Sequence, residues 1–282
     1  MTKKKLLLVD GNSVAFRAFF ALHNSLERFK NKNGLHTNAI YAFNNMFENV
    51  MQKEMPTHVL VAFDAGKTTF RTEFYSEYKA GRSKTPGEFK EQMPYIRELL
   101  EGLGVKYYEL PNYEADDIIG TLANKVDKDE FDVVVLSGDR DLTQLATDTV
   151  KVDITVKGVS DIESYTPEHI AEKYDGLTPK QIIDMKGLAG DTSDNIPGVT
   201  KIGEKTAIKL LKQYGSVEGV YENIDEMKKS KMKENLINDK EQAFLSKRLA
   251  TIEVNAPVEV NVEDLAYEGK RSEEHTSELQ SL

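Results

Sequence analysis

The sequence predicts an α/β protein with an open, mainly parallel sheet flanked by helices, followed by a smaller helical subdomain. Three observations point there. Residues 5–9, 58–63 and 132–136 are short, nearly continuous apolar runs, the pattern of strands buried on both faces. Amphipathic stretches of helical period lie between them, and that alternation implies βαβ units. From about Pro167 the β-rich runs end and short helical stretches take over.

Each element follows in turn. Residues 5–9 form the first strand, closed by Asp10, and residues 39–51 place Ile40, Phe43, Phe47 and Val50 on one helical face. Residues 58–63 form the second strand, closed by Asp64. Residues 67–90 then interleave Lys67, Arg71, Lys79, Arg82, Lys84 and Lys90 with Phe70, Phe74, Tyr75 and Tyr78. With Gly81, Pro86 and Gly87 among them, this mixture suits a mobile segment that orders around a single strand. A helix over 88–103 carries Met93, Ile96, Leu99, Leu100 and Leu103 and stops at Gly104. Residues 105–108 are a further strand, 115–126 a helix, and 132–136 the last strand. The turn-rich stretch 187–198 leads into 198–211, which together read as a hairpin between helices.

Composition limits the function classes. Hydrophobic residues make up 39% and charged residues 30% of the 282, an ordinary globular balance. Cysteine is absent, which removes disulfides, thiolate metal sites and cysteine nucleophiles. The apolar runs are far shorter than the roughly 18–20 residues that span a bilayer. Asp10 interrupts the run after Lys3-Lys4-Lys5 before a signal-peptide core can form. A cytoplasmic protein is expected. The net charge of −10 argues against a nucleic-acid partner if the acids are evenly spread. It does not if they are gathered in one place.

The acids are gathered. Asp10 and Asp64 end strands, Glu114, Asp116 and Asp117 open the helix after the third, and Asp139 and Asp141 follow the fourth. In an open parallel sheet these positions share one edge, where ligands bind. So many carboxylates repel strongly without cations. An oxygen-only set with no His or Cys suits magnesium or manganese. Asp191 and Asp194 add a pair in a tight loop. Gly198 and Gly203 leave backbone N–H groups free to approach a phosphate, and Lys201, Lys205 and Lys209 line the same edge.

Leu8-Val-Asp-Gly-Asn-Ser13, Phe63-Asp-Ala65, Tyr78-Lys-Ala-Gly-Arg82, Tyr113-Glu-Ala-Asp-Asp117, Ser137-Gly-Asp-Arg-Asp-Leu142 and Gly190-Asp-Thr-Ser-Asp-Asn-Ile-Pro-Gly198 together resemble the 5′-nuclease family, from about residue 4 to 269. The resemblance is strongest to members that form the N-terminal 5′→3′ exonuclease domain of a bacterial polymerase. It implies a PIN-like core over 1–166, with an arch at about 67–90, and a helix-hairpin-helix subdomain over 167–260, with its hairpin at about 187–211. It also implies two divalent ions, Mg2+ or Mn2+. Asp10, Asp64, Glu114, Asp116 and Asp117 then match the ligands of one, and Asp139, Asp141, Asp191 and Asp194 those of the other. Lys79 and Arg82 match a basic pair that reaches the scissile phosphate. DNA contacts are expected from Phe16, where several relatives carry tyrosine, and from Arg17, Lys67, Arg71, Gly198, Lys201, Gly203 and Lys205.

The implied activity is 5′→3′ exonuclease and 5′-flap endonuclease hydrolysis of DNA in replication and repair. The partners are DNA with a 5′ flap, nick or 5′ end, or an RNA primer paired with DNA. A nucleoid-associated bacterial monomer is expected. The nine site acids account for most of the −10, so the remaining surface is nearly neutral and carries basic stripes. A phosphatase of the haloacid-dehalogenase type would need Asp where Asn12 stands. A PIN-type ribonuclease would lack the hairpin subdomain, and a non-catalytic DNA-binding module would lack some of the nine acids. A free-standing 5′-nuclease is the other alternative to a polymerase fragment. Residues 261–270 read as the start of a linker to a missing region. Residues 271–282 read as a translated sequencing adapter joined to an interrupted reading frame.

Overall fold

The structure is a computed structural model that describes residues 3–157 and 161–269. The adapter-like stretch 271–282 lies outside the described residues. β1 (Lys4–Asp10) leads into α1 (Gly11–Ala21), α2 (Asn38–Glu54) and β2 (His58–Phe63). Two short helices, α3 (Phe70–Phe74) and α4 (Gly87–Lys90), precede α5 (Met93–Gly102), β3 (Lys106–Glu109), α6 (Ala115–Lys125) and β4 (Phe131–Ser137). β5 (Val150–Lys157) and β6 (Asp161–Tyr165) complete the sheet. Helices follow: α7 (Pro167–Lys173), α8 (Gln181–Ala189), α9 (Glu204–Tyr214), α10 (Val217–Glu222), α11 (Lys231–Asn238) and α12 (Lys240–Ala250).

The strand order is β3-β2-β1-β4-β5-β6, parallel throughout except for the antiparallel β5–β6 pair. β1 is therefore central, paired on one side with β2 and on the other with β4. Its side chains alternate between two cores. Leu7 and Val9 pack with α1, α2 and α5, whereas Leu6 and Leu8 pack with α6 and the C-terminal helices. Burial on both faces explains the unbroken apolar runs.

Three expectations need correction. The predicted helix over 88–103 is broken between α4 and α5, because Pro94, in the first turn of α5, has no N–H to donate to the Lys90 carbonyl. β5 and β6 were not predicted. Charged residues alternate through Val150–Lys157, and Asp153 is fully buried there, accepting a 2.6 Å hydrogen bond from Ser164 Oγ. The segment read as the start of a linker is instead packed into the fold as far as it is described. Leu265 is buried, Ala266 bridges to His58, and Tyr267 N–H donates to the Thr57 carbonyl.

Candidate active site

The C-terminal ends of β1, β2 and β4 deliver carboxylates to one edge. Asp10 is the last residue of β1 and caps α1 through Ser13 N–H, while its second oxygen accepts from Ser137 Oγ at 2.7 Å. Asp64 accepts from Ala115 N–H at 2.8 Å, tying β2 to the start of α6. Asp139 caps the turn after β4 by accepting from Asp141 N–H. Among the described residues Asp116 makes no side-chain hydrogen bond, and it lies within reach of the charges of Asp10 and Asp139.

Electrostatics show how tightly these groups sit. Burial, then the charge of Asp64, pushes the Asp10 carboxyl up to about 7. Burial, then Asp10 and Asp139, holds Asp116 well above the usual carboxylate range. Asp64 is raised mainly by burial, and Asp141, raised by burial and Asp139, reaches about 7. A buried set of hard oxygen donors that resists ionising together fits a divalent cation. No group of three or more such side chains is preformed as a metal-ligand set among the described residues.

Instead, amines and guanidinia occupy the carboxylates. Lys79 Nζ lies 2.6 Å from Glu114 Oε1 and 4.0 Å from Asp194, and Arg82 Nη2 lies 2.6 Å from Asp194 Oδ1. Lys79 adopts a left-handed backbone (φ +57°), pinned by its N–H on the Asp194 carbonyl. Lys186, which the sequence reading did not single out, bridges Asp141 and Asp191. Burial pushes the Asp191 carboxyl up, but Lys186 more than offsets this and leaves it below the ordinary range. The only sequence signal for Lys186 is its place beside the Gly187–Gly198 loop.

Several predicted roles change. Asp117 is fully buried, and both its oxygens are taken by Arg71 and by the Glu114 and Glu253 amides. Its direct partners here are all protein donors, which tie the start of α6 to α3 and to the end of α12. Arg71, 2% exposed, spends its donors on Asp117, Glu114 and the carbonyls of Leu249 and Thr251, so it cannot reach DNA. The arch aromatics are not free either. Tyr78 is buried with Ile196, Leu249 and Ala250, and Phe74 and Tyr75 pack on the same cluster. Gly198 N–H donates to Ser246 Oγ and is not free for phosphate. Its φ is +62°, and a Cβ would come within 2.3 Å of Gly190 N.

The remaining predicted contacts face solvent. Phe16, Lys67, Lys201, Gly203 and Lys205 are exposed, and nothing lies where a Cβ on Gly203 would sit. Arg17 is held on the Thr155 carbonyl at 2.7 Å. It borders a cavity of about 410 Å³ that also touches Asp139, Asp141 and Asp191.

A mainly parallel sheet with carboxylates at its central strand ends, covered by a basic segment and continued by small helices, defines an α/β protein with its ligand site at the carboxyl edge of the sheet. The chain belongs to the 5′-3′ exonuclease family. Residues 5–175 match the family's N-terminal resolvase-like domain and residues 177–273 its C-terminal SAM fold. The chain is 63% identical over 269 residues to DNA polymerase I of Streptococcus pneumoniae strain R6, covering 95% of the chain and 31% of that protein. It is 60% identical over 272 residues to DNA polymerase I of Bacillus subtilis strain 168, covering 96% and 30%. The chain thus spans about a third of the length of these relatives, over their 5′-3′ exonuclease region. The bacteriophage T5 flap endonuclease solved with DNA and metal ions shares the fold, with a TM-score of 0.71, 23% identity, and 89% and 90% of the two chains covered. Among the described residues no helix is long and apolar enough to cross a membrane.

Proposed function

We propose that the chain is a divalent-metal-dependent 5′→3′ exonuclease and 5′-flap endonuclease, the nuclease part of a DNA polymerase I. It acts in the cytoplasm on nucleoid DNA, removing primers and flaps during replication and repair. The convergence of Asp10, Asp64, Asp116 and Asp139 at one sheet edge, under Lys79 and Arg82, carries this reading. Its substrates are DNA with a 5′ flap, nick or 5′ end, or an RNA primer paired with DNA, bound by the monomer. The T5 relative's DNA and metal ions support the same reading.

Asp10, Asp64, Glu114 and Asp116 would hold one Mg2+ or Mn2+, and Asp139, Asp141, Asp191 and Asp194 the other. When bound, such ions lower the pKa of a water and neutralise charge developing on the phosphorus oxygens. The protein supplies the rest. Ser13 and Ser137 fix the Asp10 carboxylate. Lys79 and Arg82 exchange carboxylate partners for the scissile phosphate and stabilise it as its charge grows. Phe16 offers a stacking face and Arg17 a cation beside it. In the 167–260 part, Lys201, Lys205 and the Gly203 amide hold duplex phosphates without reading bases.

The test is a 5′-labelled flap duplex with purified protein in magnesium and in EDTA. Cleavage with magnesium that stops in EDTA and in Asp116→Asn is expected. Cleavage that persists in EDTA would overturn the reading.

A further inference from the structure

The strand ends that carry the acids are joined by side chains that are not themselves acids. Ser137, the last residue of β4, is fully buried. Its Oγ lies 2.7 Å from Asp10 Oδ2 and 2.9 Å from the Asp139 main-chain nitrogen. The Asp139 N–H can only donate, so a hydroxyl lone pair takes it and the hydroxyl proton is left for Asp10. One side chain thereby sets an acid of β1 against the main chain of an acid after β4. Asn12, in the first turn of α1, works on the other flank, where its Oδ1 accepts from Asp64 N–H at 3.1 Å. Gly11 lets the same turn press onto the end of β2, since a Cβ there would overlap the Phe63 ring.

We infer that Ser137 and Asn12 are positioning residues of the metal site, fixing how the acids of β1, β2 and the turn after β4 stand relative to one another. This deepens the nuclease reading and rests on it. A carboxylate offers about four lone-pair sites. Asp10 gives one on each oxygen to Ser137 and to Ser13 N–H, which leaves one on each for cations. Ser137 sets the direction in which those face, because rotating the carboxylate would break its bond. Carboxylates this close repel one another. Without such ties they splay, and a cation must gather them at a cost in affinity. Removing a contact that orients a metal-binding group changes metal affinity by roughly 10–100-fold. Ser13 supplies a comparison, since its Oγ accepts from Gly138 N–H at 2.9 Å and Gly138 brings no acid.

The test is Mn2+ binding by the full chain without DNA, read as free Mn2+ by electron paramagnetic resonance. Ser137→Ala should raise the binding midpoint of at least one ion per chain by about tenfold or more, and Asn12→Ala by at least about fivefold. Ser13→Ala strands one turn N–H just as Ser137→Ala does, yet its midpoint should stay within about threefold of wild type. Melts in EDTA check that each variant folds, and the part-exposed Asn12 carries the comparison if the buried Ser137 variant does not. Midpoints within about twofold of wild type in Ser137→Ala and Asn12→Ala, or an equal loss in Ser13→Ala, would overturn the assignment. Flap cleavage adds a second readout. The Mn2+ concentration for half-maximal rate should rise with the binding midpoint, while the rate at saturating Mn2+ falls less. A lowered ceiling at an unmoved midpoint would also overturn it. Wild type that binds no Mn2+ removes the nuclease reading, whereas tight wild-type binding with unaffected variants removes the positioning role alone.

Discussion

The Arg71 guanidinium meets the Asp117 carboxylate edge-on, with both Nη1–Oδ2 and Nη2–Oδ1 at 2.8 Å, while Nε and Nη2 also donate to the Leu249 and Thr251 carbonyls. One buried side chain therefore ties the arch foot, the start of α6 and the end of α12 together.

Asp117→Asn should leave the buried Arg71 charge offset only by Glu114, 3.2 Å away, and cost about 3 kcal/mol, the lower end for a broken buried pair. Thermal unfolding in EDTA should show a melting temperature lower by roughly 10 °C. Asp116→Asn, one residue away, removes a carboxylate that is repelled rather than paired, so the same melt should be unchanged or raised.

Asp116→Asn and Asp139→Asn should each abolish cleavage of flap DNA while leaving affinity for that DNA nearly intact. Single-turnover rates and binding titrations separate the two effects. A residual rate within about tenfold of wild type, under 1.4 kcal/mol of barrier, would remove that residue from the site.

Lys79→Ala should lower the single-turnover rate by at least about a hundredfold, with substrate affinity changed much less, because its amine acts on charge that grows in the transition state. Limited trypsin digestion adds a second readout. Cleavage after Arg82 and Lys84 should slow when a 5′ flap threads the arch.

Asp10 and Asp141 have folded-state pKa values near 7, far above the unfolded carboxylate. The folded state thus holds more protons than the unfolded chain between about pH 4 and 7, and stability must fall as pH rises through that window. Denaturant melts in EDTA should show this decline. Magnesium should flatten it, and magnesium titrations near pH 6.5 should release protons, seen as heats that vary with buffer ionisation enthalpy.

Gly198→Ala should destabilise the protein by more than about 2 kcal/mol, since the added Cβ meets the Gly190 backbone and the conformation is left-handed. Gly203→Ala meets open space at a negative φ and should melt normally. Any loss of duplex binding in Gly203→Ala alone would then report direct approach of phosphate.

Much of this was legible in the chain. An apolar run followed at once by Asp marks a strand end, so Asp10 and Asp64 could be placed from the sequence alone. Asp116 and Asp117 could not be told apart, because what separates them is Arg71, far away in sequence. Arg71 itself sits in a basic, aromatic stretch that looks the same whether the cation faces phosphate or a buried acid. β5 escaped notice because Val150, Val152, Ile154 and Val156 alternate with Lys151, Asp153, Thr155 and Lys157, a pattern unlike the unbroken apolar runs of the other strands.

The strand order also sets a schedule for making the protein. β1 is synthesised before β4, yet one of its edges is covered only by β4, where Leu6 to Val9 lie beside Val133 to Leu136. Synthesis and domain folding proceed from the N-terminus, so throughout the emergence of the intervening residues the ribosome-bound chain carries an uncapped apolar ribbon. An uncovered, hydrophobic strand edge is a template for pairing with other chains. A ribosome that stalls before β4 leaves the most aggregation-prone version of this protein, and chaperone capture of nascent chains should peak there.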